Sequence, residues 1–215
     1  MIFEEHVNVT CPRCGKVSDT IFWKSLNAGA NVPQRERLLS GDLFTFTCPS
    51  CGEQGMTDYP VLYHDDRKRF VIYYANSEKS AGEIEAVLAE LRGDGGRKGL
   101  PEGYTVRVVF TPHALREKVI LLENGLDDRT VEILKLLHLP GVREAYPGLD
   151  PAEILFFLDE ESYGLQFIGG EKSVYARVEK SVYENVLNNI TNPLAGERET
   201  GYTVDLKWAA GILKQ

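Results

Sequence analysis

Cys11-Pro12-Arg13-Cys14-Gly15 and Cys48-Pro49-Ser50-Cys51-Gly52 decide the reading of this chain. Each is C-P-x-C-G, and together they hold all four cysteines of the 215 residues. Two C-x-x-C spacers with no cysteine left over point to a four-cysteine metal site. The turn chemistry explains the spacing. Proline pre-sets its backbone angle early in the turn. The glycine after the second cysteine takes the positive φ that other residues resist. Two such turns facing each other bring four thiolates to one point, and Zn²⁺ accepts that tetrahedron at about 2.3 Å per bond. Four protein ligands close the coordination shell, which is the pattern of a structural site. Three rivals share some of these features: disulfides, a thioredoxin-like redox pair, and a rubredoxin-like iron held by the same thiolates.

The flanking residues read as two hairpins. Val7 and Val9 alternate with polar neighbours into the first turn, giving a strand over residues 3–10, and Ser18 to Leu26 returns from it. Pro33 to Leu39 reads as a short helix, with Pro33 near its start and Gly41 just past its end. Asp42 to Thr47 enters the second turn. Glu53 to Tyr63 leaves it, interrupted near Pro60. His64 to Arg67 reads as a turn and Lys68 to Ala75 as a strand. The expectation is a zinc-ribbon-like pair of β-hairpins with an inserted helix over residues 1–76.

Beyond the ribbon, Ser80 and Glu83 form a capping box before Ile84, Val87, Leu88 and Leu91 at helical spacing. Residues 93–103 are a glycine-rich linker that lacks the G-K-[ST] ending of a phosphate loop. Tyr104 to Phe110 reads as a strand. Thr111 caps a helix begun by Pro112 and closed by Gly125, and Asp127 opens another, so that the two make a helical hairpin. From residue 148 the pattern becomes a βββαβ segment: strands at Ile154–Leu158, Leu165–Ile168 and Val174–Val178, an amphipathic helix through Val182, Tyr183, Val186, Leu187 and Ile190, and a strand at Tyr202–Leu206. Trp208 to Leu213 reads as a short closing helix. The fold class is therefore α+β, with a domain over 1–147 (ribbon 1–76, helices and strand 77–147) and a C-terminal segment over 148–215.

Composition bounds the function. With 43% hydrophobic and 26% charged residues, the chain is of ordinary globular type. It has no apolar run of the ~18 residues that would span a bilayer. Its first residues lack a basic start and an apolar stretch, so the expected location is cytoplasmic. The net charge is −8, and no segment is basic: residues 1–76 carry 8 Lys and Arg against 9 Asp and Glu, 77–150 carry 10 against 13, and 151–215 carry 6 against 10. Non-specific nucleic-acid binding is disfavoured, because it rests on Lys and Arg neutralising phosphates.

The paired C-P-x-C-G motifs, Leu38-Leu39-Ser40-Gly41-Asp42-Leu43 before the second one and Tyr59-Pro60-Val61-Leu62-Tyr63-His64-Asp65 after it resemble the CpXC domain family of bacteria and archaea. Glu117-Lys118-Val119 and Asp127-Asp128-Arg129-Thr130-Val131-Glu132 are similar to that family's later helices, so that the resemblance covers roughly residues 1–140. It implies a cysteine metal site and no reaction.

Three functions remain as expectations. The first is a zinc-binding protein whose site, Cys11, Cys14, Cys48 and Cys51, is structural and serves interaction with a protein partner or assembly. The second is a nucleic-acid-associated zinc ribbon, which requires a basic face near Arg13, Lys16, Lys24 and Arg67–Arg69. The third is an enzyme using His64, Asp65 and Asp66, where a histidine beside carboxylates acts in acid–base chemistry; a polar hairpin turn is the plainer reading of that triplet. His138, on an apolar helix face, reads as a core residue, and Asp127 as a helix cap.

Overall fold

In the computed structural model, described for residues 3–77, 81–96, 98–159, 162–194 and 201–214, the chain forms two compact units, 1–119 and 120–215. The capping residue Ser80 lies outside the described residues, as do Gly196 and part of the turn after Leu158.

The first unit is built on a mixed sheet. Strand β1 (Phe3–Thr10) pairs antiparallel with β2 (Val17–Asn27). Helix α1 (Val32–Ser40) and the short strands β3 (Thr45–Thr47) and β4 (Gln54–Met56) follow, then β5 (Val61–Asp65) and β6 (Phe70–Tyr74). Helix α2 (Ala81–Arg92) leads to β7 (Thr105–Val109), and helix α3 (Pro112–Glu123) runs across the boundary between the units. The sheet order is β1-β2-β5-β6-β7, with β2 parallel to β5 and β6 parallel to β7. Parallel neighbours need long crossovers. The segment carrying α1 and the β3–β4 hairpin supplies one, and the segment carrying α2 supplies the other. All five residues of β6, Phe-Val-Ile-Tyr-Tyr, are buried, because a strand covered on both faces reads as a continuous apolar run. Phe22 stacks on Tyr59 at 4.1 Å, and Phe44 sets its ring against both Tyr59 and Tyr74.

The two hairpins, β1–β2 and β3–β4, carry the cysteine turns at their tips, as the spacing led one to expect. The expected strand at Asp42–Thr47 begins only at Thr45. Gly41, at φ 93, closes α1, and the amides of Asp42 and Leu43 then bond back to the carbonyl of Arg37, which holds those residues in a helix-terminating turn. His64 belongs to β5, opposite Val71, and the turn lies at Asp66–Arg69. The strand at 105–109 is part of this same sheet rather than an appendage to a ribbon.

In the second unit, helix α4 (Asp128–Ala145) is followed by β8 (Glu153–Leu158), β9 (Tyr163–Gly169) and β10 (Lys172–Val178), which form an antiparallel sheet in the order β10-β9-β8. Helix α5 (Lys180–Val186) continues as a π turn over Leu187–Thr191 and a 3₁₀ turn over Asn192–Leu194, and α6 (Leu206–Leu213) ends the unit. Ile154, Phe156, Leu165, Phe167 and Val178 point from the sheet into a core shared with Val131, Leu134, Tyr183 and Ala209. Helix α4 packs principally against α5 and α6, so its main partners lie further along the chain than the helical-hairpin reading placed them. Helix α4 also runs through Pro140 to Ala145.

The expected strand at Tyr202–Leu206 is corrected: this stretch is irregular and leads into α6. Asp205 accepts a hydrogen bond from the amide of Trp208 at 2.8 Å, so the helix-start signal overrides the short alternation before it. The segment is βββα followed by a helix, not βββαβ.

Candidate metal centre

The two cysteine turns are built alike. In the first, the amide of Cys11 donates to the carbonyl of Lys16 at 2.9 Å, and the amide of Gly15 donates to the carbonyl of Cys11 at 3.0 Å. In the second, Cys48 donates to Glu53 at 2.8 Å and Gly52 to Cys48 at 3.0 Å. Gly15 and Gly52 sit at φ 71 and 72, the left-handed conformation for which glycine carries no penalty.

These matched turns converge. The Sγ atoms of Cys11, Cys14, Cys48 and Cys51 all lie within 4.8 Å of one another. Cys11 and Cys51 are 3.7 Å apart, and so are Cys14 and Cys48. The near pairs therefore join one hairpin to the other. A regular tetrahedron of sulfurs at 2.3 Å from a central ion has an edge of about 3.8 Å. The four thiols are free, and a disulfide would bring its sulfurs to about 2.0 Å.

The site has a dry side and a wet side. Cys11 and Cys48 are buried against Phe46, with Val9 packed on the same cluster, whereas Cys14 and Cys51 face solvent. Above the tips, Nη1 of Arg13 donates to Oε2 of Glu53 at 3.2 Å, bridging the two turns. Val9 and Glu53 read in the sequence only as strand residues beside the turns, and Phe46 only as part of the stretch entering the second turn. The only available signal was the alternation of apolar residues entering each turn.

The thiols differ in acidity. Cys48 is drawn down to about 7: the amide of Ser50 favours its thiolate and outweighs burial, with help from the amide of Cys51 and the thiols of Cys11 and Cys51. Cys51 is pushed up to about 12. The amide of Glu53 favours its thiolate, but burial and the sulfurs of Cys14, Cys48 and Cys11 together outweigh that amide. Sulfurs packed this closely resist sharing several negative charges, and a divalent cation removes that resistance. Donor type, number, spacing and charge all fit a metal ion.

The second candidate set is brought together in part. Nε2 of His64 lies 2.6 Å from Nδ2 of Asn27 and 3.4 Å from Oδ2 of Asp66. The Asn27 amide also donates to Asp66 at 3.0 Å, and Tyr104 donates to the other oxygen of Asp66 at 3.2 Å. Asn27 Oδ1 accepts from the amides of Gly29 and Ala30, which fixes the side chain with Nδ2 toward the histidine. With Asn27 held in this orientation, its Nδ2 points at Nε2 of His64. Asp65 turns away to accept from the amides of Arg67 and Lys68. These contacts tie strand ends into a turn.

The remaining residues take structural places. Asp127 caps α4 by accepting from the amides of Arg129 and Thr130. His138 Nδ1 donates to the carbonyl of Leu134 at 2.8 Å. Lys24 pairs with Glu5 at 3.4 Å and lies over the rings of Phe22 and Tyr59. Arg69 donates to the carbonyl of Glu102 and lies over Tyr104. No described helix is long and apolar enough to cross a membrane.

The family model described as "CpXC protein" matches residues 9–135, a span that takes in both cysteine turns. The chain belongs to the CpXC family. The match ends within α4, so that β8, β9, β10, α5 and α6 lie beyond the CpXC region. No curated protein and no solved structure matches the chain.

Proposed function

We propose that this CpXC protein holds one zinc ion through Cys11, Cys14, Cys48 and Cys51, and that the site is structural, serving protein interaction or assembly. The supporting observation is the 3.7 Å spacing of sulfurs drawn from opposite hairpins, which suits a single tetrahedral ion. Zinc supplies a cross-link between the two hairpins. With all four positions filled by protein, no position is left for water or substrate. The β3–β4 hairpin has only three residues per strand, too few for independent stability in water, and the ion ties its tip to the β1–β2 tip. Val17 and Met56, on the two hairpins that carry the ligands, are exposed, which suits a role in contacts with a protein partner.

The test is metal content. Full-length protein purified without added metal should carry one zinc per chain by elemental analysis. Replacing any one cysteine by serine should weaken retention sharply, because a thiolate ligand is lost. His64→Ala should leave the ratio unchanged. Stoichiometric iron, or zinc loss in the His64 variant, would contradict the assignment.

A further inference from the structure

We propose that the four-cysteine centre is a redox-sensitive zinc-release site, in which a hydroperoxide joins Cys11 to Cys51 and Cys14 to Cys48. This rests on the zinc reading above and adds to it the reactant, the pairing and the consequence for the fold.

Distance favours these pairs. Four cysteines allow three pairings. All four sulfurs lie within 4.8 Å of one another, and Cys11–Cys51 and Cys14–Cys48 stand at 3.7 Å. A disulfide brings its sulfurs to about 2.0 Å, so each pair closes by a short movement of side chains already in contact.

Burial and loop length exclude the other two pairings. Cys14 and Cys51 are exposed, whereas Cys11 and Cys48 are buried in one cluster with Phe46. Joining Cys11 to Cys48 would pair two sulfurs that a solute oxidant does not reach. Each pair at 3.7 Å instead holds one exposed and one buried residue. Joining Cys11 to Cys14, or Cys48 to Cys51, would close a loop with only two residues between the sulfurs. The cross-hairpin bonds close loops spanning 40 and 34 residues, and longer loops gain more from a cross-link.

The chemistry balances with the peroxide as sole oxidant. A thiolate of Cys14 or Cys51 attacks one peroxide oxygen. An S–O bond forms, the O–O bond breaks and hydroxide leaves, so the sulfur is oxidised by two electrons to a sulfenic acid while the peroxide is reduced. The buried thiolate of the opposite turn, Cys48 for Cys14 and Cys11 for Cys51, then attacks that sulfur. The S–S bond forms, the S–O bond breaks and a second hydroxide leaves. Each pair consumes one peroxide and yields one disulfide and two hydroxides. Thiolates are the metal ligands, so their consumption releases the ion.

The pairing decides what happens to the fold. The β3–β4 hairpin, with three residues per strand, stays fastened to the β1–β2 tip after the ion has gone. Oxidation changes the metal content without freeing the hairpin, and reduction returns four thiolates already in place.

The test treats zinc-loaded full-length protein with hydrogen peroxide and follows zinc with a chromogenic chelator. Remaining thiols are alkylated and the disulfides located by mass spectrometry. Zinc release in step with disulfide formation is expected, with Cys11–Cys51 and Cys14–Cys48 as the bonds, and a dithiol reductant should restore both thiols and zinc binding. The oxidised protein should unfold at a higher temperature than reduced protein stripped of metal by a chelator. Cys14→Ser supplies a second reading: peroxide should join Cys11 to Cys51 and leave Cys48 free, whereas pairing within the turns would leave Cys11 free. Disulfides within each turn, zinc retained in excess peroxide, or a release that the dithiol does not reverse would overturn the proposal. Protein without zinc before treatment would contradict the metal assignment instead, and the disulfide map would still decide the pairing.

Discussion

Arg13, in the first cysteine turn, donates to Glu53, just beyond the second, at 3.2 Å. Their backbones also belong to the two matched turns, since Glu53 accepts the amide of Cys48 through its carbonyl. The ion pair spans the hairpins on the solvent side, and both side chains are substantially exposed. Exposed pairs of this kind are worth about 0–1 kcal/mol. Glu53→Gln is therefore expected to leave zinc stoichiometry intact and to weaken metal retention only a few-fold in a chelator competition, with the difference vanishing at high salt.

Phe46 supports the opposite side of the cluster. Truncation to alanine removes the ring packed in one cluster with Cys11 and Cys48 and opens a cavity, at a cost of about 3 kcal/mol. Phe46→Ala should lower the unfolding temperature and speed zinc transfer to a chelator far more than Glu53→Gln does, because it admits water to the buried sulfurs.

Gly52 has nothing within 4 Å of where a Cβ would stand, yet its φ is 72°. Any penalty for a side chain is then one of backbone conformation alone. Gly52→Ala should cost about 1–2 kcal/mol of stability, and Gly52→Asn less, since asparagine tolerates this region better. Equal losses from the two variants in thermal unfolding would show that space, not φ, is limiting.

Thr130 donates to Thr191 at 2.8 Å between two fully buried hydroxyls, fastening the N-terminal turn of α4 to the π turn after α5. Thr191→Val should cost roughly 1–3 kcal/mol by leaving Thr130 unsatisfied. The double valine variant should recover much of that loss in denaturant unfolding, because neither hydroxyl is then buried alone.

His6 is held above its ordinary 6.5 by the hydrogen bond from its ring to Asp19, reinforced by the charge of that carboxylate. A raised folded-state value means that this contribution to stability is fully present below pH 6.5 and fades as pH rises through the folded value. Asp19→Asn should return the His6 titration, followed by NMR, toward 6.5 and remove the associated pH dependence.

The site was more legible in the sequence than the fold around it. C-P-x-C-G fixes a turn locally, since proline and glycine each dictate a backbone angle and the two-residue spacer dictates where the sulfurs point. The partners of a strand are not local. Nothing in Phe70–Tyr74 says that it will lie between β5 and Thr105–Val109, and so the mixed sheet was read as a ribbon with appendages. At Tyr202–Leu206 a brief alternation competed with the cap at Asp205, and the cap prevailed. His64, Asp65 and Asp66 are adjacent in sequence, but strand geometry sends Asp65 to the turn amides, while Asn27 joins the histidine from a strand 37 residues away.

Zinc-edge X-ray absorption on the full-length protein tests the central claim most directly. The expected first shell is four sulfurs at about 2.3 Å. A shell containing nitrogen or oxygen, or cysteines found oxidised in pairs with no bound metal, would contradict it.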